Sequence, residues 1–148
     1  MEISRVSYEQ TGSAWLGGFA HDNANPDNLN QLALWCEELT SAEQRAGFER
    51  ILREISDLAS GRGEAASQWI SLLADSGAFE SAAIAMIPQS AIYTGGRMKD
   101  GSFVAQVILD GGVGAHSRNA QSISMAWLAA LLRALARRSV ENRTRNAH

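Results

Sequence analysis

The sequence predicts an α+β fold, in which N-terminal helices pack on an α-β-β-β-α unit with a three-stranded antiparallel meander and a long, buried C-terminal helix. First, apolar residues recur at helical spacing through the N-terminal half. Second, two strand-like runs, 91–98 and 103–109, flank an Asp-Gly pair that is typical of a β-hairpin. Third, residues 125–136 carry one charged side chain, Arg133. This run is too short for a bilayer, which needs about 20 residues, so we expect a helix buried on nearly every side.

Length and composition indicate one domain with an arm and a tail. The 148 residues are 45% hydrophobic and 20% charged, which is enough apolar material for a sizeable core. We predict an N-terminal arm over 1–25, a helical region over 26–77, the α-β-β-β-α unit over 78–138 and a polar tail over 139–148.

Several functional classes are disfavoured by the composition. The formal net charge of -3 argues against a general nucleic-acid binder, which carries a basic excess. The single cysteine, Cys36, excludes an internal disulfide and a cysteine-built metal site. The first ten residues do not resemble a signal peptide, so we expect a cytoplasmic protein without a membrane segment. No combination of side chains suggests a reaction class, and we expect neither catalysis nor a cofactor.

The arm and the first helix contain the residues that we predict to bind a partner. Trp15 and Phe19 have helical spacing and either fold back on the core or dock on another protein. Asn25 is a good N-cap and Pro26 suits the first helical position. Trp35 lies beside the apolar stripe of this helix, which consists of Leu29, Leu32, Ala33, Cys36 and Leu39.

Three further helices are predicted before Pro88. The second starts at Thr40 with a capping box to Glu43 and ends at Ser60-Gly61. Its apolar face is Phe48, Ile51, Leu52, Ile55, Leu58 and Ala59. The third covers about 64–74, with Ala65, Ala66, Trp69, Leu72 and Leu73 as its apolar positions. The fourth covers 78–87 and is ended by the proline.

The second half predicts a sheet with apolar residues on both faces. The alternation along 103–109 favours helices on both sides, or pairing with another copy. A third, short strand is expected over 113–116, followed by the C-terminal helix. One stripe of that helix contains Trp127 and should cover the sheet, and a leucine stripe should meet the N-terminal helices or a second subunit. We therefore expect a homo-oligomer. From Arg137 onward the apolar pattern is lost, which predicts fraying.

The most site-like segment is GGVGAHSRNAQS, residues 111–122. Its glycines and the expected helix N-terminus, with His116 and Arg118 beside it, suit an anion such as a phosphate. Ser117 and Asn119 are further ligand candidates, and Ser117, Asn119 or Ser122 would cap the following helix. The alternative is a hairpin turn followed by an ordinary cap.

A second glycine-arginine element, Thr94-Gly95-Gly96-Arg97, leads to the same kind of prediction. If it bends toward Arg118, two guanidinium groups could bind one ligand. We therefore expect Arg97 and Arg118 on one surface. The alternative is a β-bulge with an exposed arginine.

The helix ESAAIAMIP at 80–88, the hairpin, and SISMAWLAALLRALARR at 122–138 together form a recognisable pattern. It resembles the small phage proteins of the ABA-sandwich domain type over roughly 78–138, less than half of the chain. The resemblance implies a non-catalytic phage or prophage accessory protein, such as a host-takeover or anti-defence inhibitor that occupies a protein partner. It transfers no site residue. The alternative is a binder that sequesters a nucleotide or other phosphate-bearing molecule at the Gly/Arg turns.

Overall fold

The computed structural model describes residues 25–56 and 62–146, with side chains for 25–54 and 65–144. The arm with Trp15 and Phe19, and the predicted helix end at Ser60-Gly61, lie outside the described residues. The fold is α+β, as predicted. Its elements are α1 (Pro26–Glu38), a 3-10 turn (Ser41–Glu43), α2 (Gln44–Ser56), α3 (Arg62–Asp75), α4 (Phe79–Met86), β1 (Ile92–Arg97), β2 (Phe103–Ile108), β3 (Gly114–Ala120) and α5 (Ile123–Asn146).

Helix α5 lies at the centre of the fold. One side packs on β2 and β3, and the opposite side packs against α1 and α4. Five of its large side chains are at most 1% exposed: Met125, Leu128, Leu131, Leu132 and Leu135. The prediction of a helix buried on nearly every side is confirmed. The leucine stripe is buried within this chain, whereas the stripe that faces the sheet is incompletely covered at its start. Trp127 and Ile123 are only partly buried.

The helix starts follow the local sequence signals. Asn25 caps α1 through its side-chain oxygen, which accepts a hydrogen bond from the Asp27 amide at 2.8 Å. The Glu43 carboxylate accepts one from the Thr40 amide at 2.8 Å, although the first turn there is a 3-10 turn. The buried positions of these two helices agree with the predicted stripes: Leu29, Leu32, Ala33 and Cys36 in α1, and Phe48, Ile51 and Leu52 in α2.

The inner face of helix α3 matches the predicted one only in part, since Ala66 and Leu73 pack against the core but other predicted positions do not. Trp69 and Leu72 are 56% and 59% exposed, whereas Ile70 and Ala74 are buried. The helix packs against α2 and α4. Its position between them selects Ile70 and Ala74, four residues apart, as the inner side.

The sheet is an antiparallel meander with the order β1-β2-β3. Gly101 in the first turn has a φ of +91°, which a residue with a Cβ rarely adopts, and this explains the Asp-Gly pair. The alternation along β2 turns Ala105 and Val107 toward α5, where both are buried. Val104 and Gln106 face the other way. Among the described elements, no helix packs on that second face, so the expected helices on both sides are not found there.

Two predicted boundaries near α5 were wrong. Strand β3 continues to Ala120, four residues beyond the predicted strand, so of the three candidate caps it is Ser122 that caps the helix, by accepting a hydrogen bond from the Met125 amide at 3.3 Å. Helix α5 does not fray after Arg137 but continues to Asn146. Residues 139–146 include neither glycine nor proline, and buried Ser139 shows that this segment still packs on the protein.

Candidate functional site

The four predicted ligand residues of the 111–122 segment lie on strand β3, rather than at a helix N-terminus. Ser117 turns inward and is 1% exposed, while His116, Arg118 and Asn119 are exposed. A bulge lies here, because Phe103 pairs with Ala120 but Ala105 pairs with Ser117. The helix dipole that was expected to favour an anion is therefore not beside these residues.

Ser117 belongs to a polar cluster that joins α1, β3 and α5. Its hydroxyl donates to the Glu37 carboxylate at 2.6 Å. Arg133 donates to both oxygens of the same carboxylate, at 2.5 Å and 2.7 Å, and also to the His116 backbone oxygen at 3.1 Å. The Glu37 and Arg133 side chains are 12% and 24% exposed. The bidentate geometry and the burial indicate a clamp between three elements.

The pKa values of the Glu37 carboxyl and the neighbouring Cys36 thiol disfavour nucleophilic catalysis at this cluster. Burial by itself raises the pKa of Glu37, but the hydrogen bonds from Arg133 and Ser117 outweigh it and hold that pKa below its ordinary value. A carboxylate with a lowered pKa is a poor base for the Ser117 hydroxyl. Next to Glu37, burial raises the pKa of the Cys36 thiol to about 12, so the thiol stays protonated and unreactive. The cluster therefore fits a structural role.

Sequence reasoning did not identify Glu37 and Arg133 as a pair, although one signal was present. Arg133 is the only charged side chain in an apolar run, and a buried arginine needs a hydrogen-bonded acid. Glu37 follows Cys36 on the α1 face that meets α5, which makes it a natural partner.

The face of the sheet opposite α5 holds a shallow depression. Its lining is apolar over most of its area and carries polar groups from all three strands; it includes Thr94, Gly96, Val104, Gln106, His116 and Arg118. None of the residues that line it is acidic. The His116 and Arg118 side chains have no hydrogen-bond or ion-pair partner among the described residues. We call this surface the open face.

Arg97 does not share the open face with Arg118. Arg97 pairs with Phe103, whose side chain packs against the core on the α5 side. Arg118 follows Ser117, which points to the α5 side, so Arg118 points away from it. The two arginines lie on opposite faces of the sheet, and the predicted convergence on one ligand does not occur.

A second depression lies where α4, α5 and the 3-10 turn begin. Its polar side chains are used in local contacts: Ser122 caps α5, and Gln44 donates to the Ser41 backbone oxygen at 3.0 Å. Gln44 also accepts from Ser124. These groups complete helix ends and are not available to a ligand.

Trp35, a predicted partner-binding residue, is half-buried on α1. The Arg50 guanidinium lies 4.5 Å from the centre of its ring, which is a cation–π contact within the chain.

Over 25–56 and 62–146, no group of three or more His, Cys, Asp or Glu side chains could hold a metal ion. In the same ranges, no helix has the length and apolarity needed to cross a bilayer. Comparison with protein families, curated proteins and solved structures finds no match to this chain.

Proposed function

We propose that the chain is a non-catalytic binding protein that recognises an acidic surface of a protein partner through the open face of its sheet. The observation that carries the proposal is the combination of Arg118 and His116, exposed and without partners, on a face that no described helix covers. An unpaired guanidinium is well suited to bind a carboxylate with two hydrogen bonds.

The shape of the open face favours a macromolecule over a small molecule. A site for a small ligand is usually a concave pocket that buries most of the ligand. The depression around Gly96 and Gln106 forms where Gly96 has no side chain. It is shallow because only strand residues line it and α5 lies on the other side of the sheet. A partner surface can cover such an area without being enclosed by it.

The side chains of the open face favour a protein over a nucleic acid. Single-stranded nucleic acids are bound on sheets by stacking bases on aromatic rings. No residue lining the depression is Phe, Tyr or Trp. The net charge of -3 also limits attraction to a polyanion of high charge density. An acidic protein surface needs only the local positive charge of Arg118 and a hydrogen bond donated by the His116 imidazole.

The phage-like pattern of residues 78–138 supports a biological setting for this binding. We infer an accessory protein of a phage or prophage that works in the host cytoplasm, as a host-takeover or anti-defence inhibitor that occupies its partner. The alternative, sequestration of a nucleotide or other anion at the Gly/Arg turns, loses the support that two arginines binding one ligand would have given it. The strand pairing places Arg97 and Arg118 on opposite faces.

A labelled polyglutamate peptide tests the proposal. Wild-type protein should bind it, and Arg118→Ala should weaken binding about tenfold, since a charge-assisted hydrogen bond contributes ~1.5–3 kcal/mol. The matched control is Arg53→Ala, which removes the same charge from α2, a helix that does not pack on the sheet. Equal binding by the two variants would contradict the proposal.

A thermal-shift panel of nucleotides and inorganic phosphate tests the alternative on the same proteins. A ligand that binds only the folded chain raises its melting temperature. Stabilisation by one nucleotide, lost in Arg118→Ala, together with no binding of polyglutamate, would replace the acidic partner with a small anion.

A further inference from the structure

The two outer edges of the sheet differ in how their backbone groups are satisfied. At β3, Arg133 donates to the His116 oxygen at 3.1 Å and Arg137 donates to the Gly114 oxygen. Helix α1 also packs against β3. At β1, the elements in substantial contact are β2 and α5, and neither of them lies along the outer edge. The outer edge of β1 is therefore open in the described part of the chain.

The hairpin bonds identify the backbone groups at that edge. The Met98 amide donates to the Ser102 oxygen at 2.7 Å, which makes these two a hydrogen-bonded pair. In an antiparallel ladder such pairs alternate, so the residues whose N–H and C=O point outward are Tyr93, Gly95 and Arg97. None of the three has another backbone partner among the described residues.

Strand β3 shows the same alternation of outward-pointing backbone groups. The Leu109 amide donates to the Val113 oxygen at 2.7 Å, so alternation turns the backbone of Gly114 and His116 outward. These are the carbonyls that Arg137 and Arg133 reach. The rule holds at the edge where the contacts are visible, and this supports its use at β1.

Strand β1 also lacks the features that prevent edge pairing. Proteins protect exposed edges with proline, a bulge, lysines or a covering element. Strand β1 pairs with β2 without a register shift from 92 to 97 and contains no proline or lysine. Three large apolar side chains are exposed here: Ile92 (63%) and Tyr93 (38%) in β1, and Met98 (50%) directly after the strand.

We propose that a second copy of this chain pairs with the β1 edge, antiparallel and about a twofold axis at Gly95. Gly95 then faces Gly95 of the second copy, and Tyr93 faces Arg97 of the second copy, twice by symmetry. This register uses all three outward residues and forms about six backbone hydrogen bonds. No other register centred on this strand pairs all of them with one another.

The side chains in this register are complementary to themselves. Ile92 lies opposite Met98 of the second copy, so both exposed apolar groups lose contact with water. Arg97, which has no partner among the described residues, meets the Tyr93 ring, and a guanidinium beside an aromatic ring is attracted to it. A strand of another sequence would need apolar side chains opposite Ile92 and Met98, an arginine opposite Tyr93 and an aromatic ring opposite Arg97. A second copy of this chain has these residues in the required order.

Helix α5 leaves room for this pairing. It lies mainly over β2 and β3 and approaches β1 through Ile123 and Trp127, near Gly95. Both side chains are only partly buried, although they are apolar and lie next to the edge. The second copy would cover them from the side. An isologous contact of this kind closes on itself and produces a dimer.

The mass in solution, from sedimentation equilibrium at micromolar concentrations, tests the proposal. Wild-type protein should be a dimer. Arg97→Pro removes one outward N–H, and proline is tolerated at a strand edge whose N–H faces solvent. It should raise the dimer dissociation constant about tenfold or more. Ile92→Lys should do the same, whereas Leu72→Lys, at a 59% exposed position on α3, should not.

A charge exchange tests the register independently of any folding defect. Tyr93→Lys should weaken the dimer, because the lysine meets Arg97 of the second copy. Adding Arg97→Glu should restore it. Within one chain these positions are about 13 Å apart along the strand, so the rescue cannot come from an intrachain contact.

Three results would overturn the proposal. A monomeric wild type at these concentrations would show that no second copy pairs with the β1 edge. Unchanged dimers in folded Arg97→Pro and Ile92→Lys would place the contact on a different surface. A failure of Arg97→Glu to rescue Tyr93→Lys would exclude the stated register.

Discussion

Replacing Arg133 with methionine tests the clamp between Glu37 and Arg133. Methionine keeps a long, apolar side chain but removes the guanidinium. The Glu37 carboxylate, 12% exposed, would then keep the Ser117 hydroxyl as its remaining partner. Two charge-assisted hydrogen bonds, now 2.5 Å and 2.7 Å long, would be lost. We expect Arg133→Met to lower the free energy of unfolding by ~3–5 kcal/mol at neutral pH, as for a buried ion pair that loses one member.

The loss should depend on pH in a defined direction. In the wild type, the pKa of Glu37 is below its ordinary value of 4.5. The stability from this carboxylate is therefore fully present above pH 4.5 and disappears as the pH falls through the lowered pKa. In Arg133→Met, burial is no longer outweighed and raises the pKa of Glu37 above 4.5. The cost is then largest at neutral pH, decreases as the pH falls through the raised pKa of the variant, and vanishes only below the lowered pKa of the wild type, so the two proteins should converge below pH 4.5.

Urea denaturation followed by circular dichroism, at neutral pH and at several values below pH 4.5, measures both effects. The matched control is Arg137→Met, one turn later on α5, whose exposed side chain contacts the Gly114 oxygen. Exposed contacts contribute ~0–1 kcal/mol. The double variant Arg133→Met/Glu37→Gln should recover part of the stability, since no buried charge remains. If Arg133→Met costs no more than Arg137→Met at neutral pH, Glu37 and Arg133 are a solvated pair and the reasoning is wrong.

Two further predictions concern the contact between α5 and β1. A Cβ at Gly95 would lie 2.7 Å from Ile123 Cδ1 and 3.0 Å from Trp127 Nε1, so Gly95→Ala should cost ~1–3 kcal/mol in chemical denaturation. Gly96→Ala is the control, because a Cβ there meets nothing within 4 Å, and equal costs for the two glycines would refute the close approach. Trp127→Ala should cost about 2–3 kcal/mol, less than the ~3–5 kcal/mol expected for a fully buried tryptophan, since Trp127 is only partly buried. It also loses its hydrogen bond to the Thr94 oxygen at 3.2 Å, and a loss below ~1 kcal/mol would show that this face is not core.

The parts of the fold that were predictable have local causes. Asn25-Pro26 starts a helix because the side-chain oxygen of Asn25 accepts a hydrogen bond from the otherwise unpaired Asp27 amide, and Pro26 has no N–H that would need an acceptor. Asp100-Gly101 makes a turn because Gly101 accepts a positive φ and Asp100 accepts bonds from Ser102, at 3.0 Å from its amide and 2.6 Å from its hydroxyl. Such signals act within a few residues, so they survive without knowledge of the tertiary structure.

The parts that were not predictable depend on distant contacts. The length of β3 was underestimated because its inward side chains, Ala115, Ser117 and Ala120, are too small or polar to show an apolar alternation. Their size is set by α5, which packs closely on this strand. Similarly, the exposed Trp69 on α3 follows from the position of α2 and α4, which no helical periodicity reveals.

The candidate site was predictable only in its residue types. His116 and Arg118 were chosen for their chemistry, and the strand places both on one face because they are two residues apart. The ligand geometry was wrong because it rested on a helix start at the wrong residue. The partner-binding roles of Trp15 and Phe19 stay predictions, as these residues lie outside the described ranges.

The two proposed surfaces are independent but geometrically compatible. Edge pairing uses the backbone of β1, and acidic recognition uses side chains of β3, the strand farthest from that edge. A twofold dimer would join the two sheets into one and place both open faces on the same side. The two copies of Arg118 would then be separated by five strand spacings, about 24 Å. A partner with two acidic groups at that distance could engage both copies, and its apparent affinity would exceed that of either site through effective concentration. Loss of the dimer would weaken the binding of such a bivalent partner and leave the binding of a single short acidic peptide unchanged. This difference separates the contribution of the β1 edge from that of the open face.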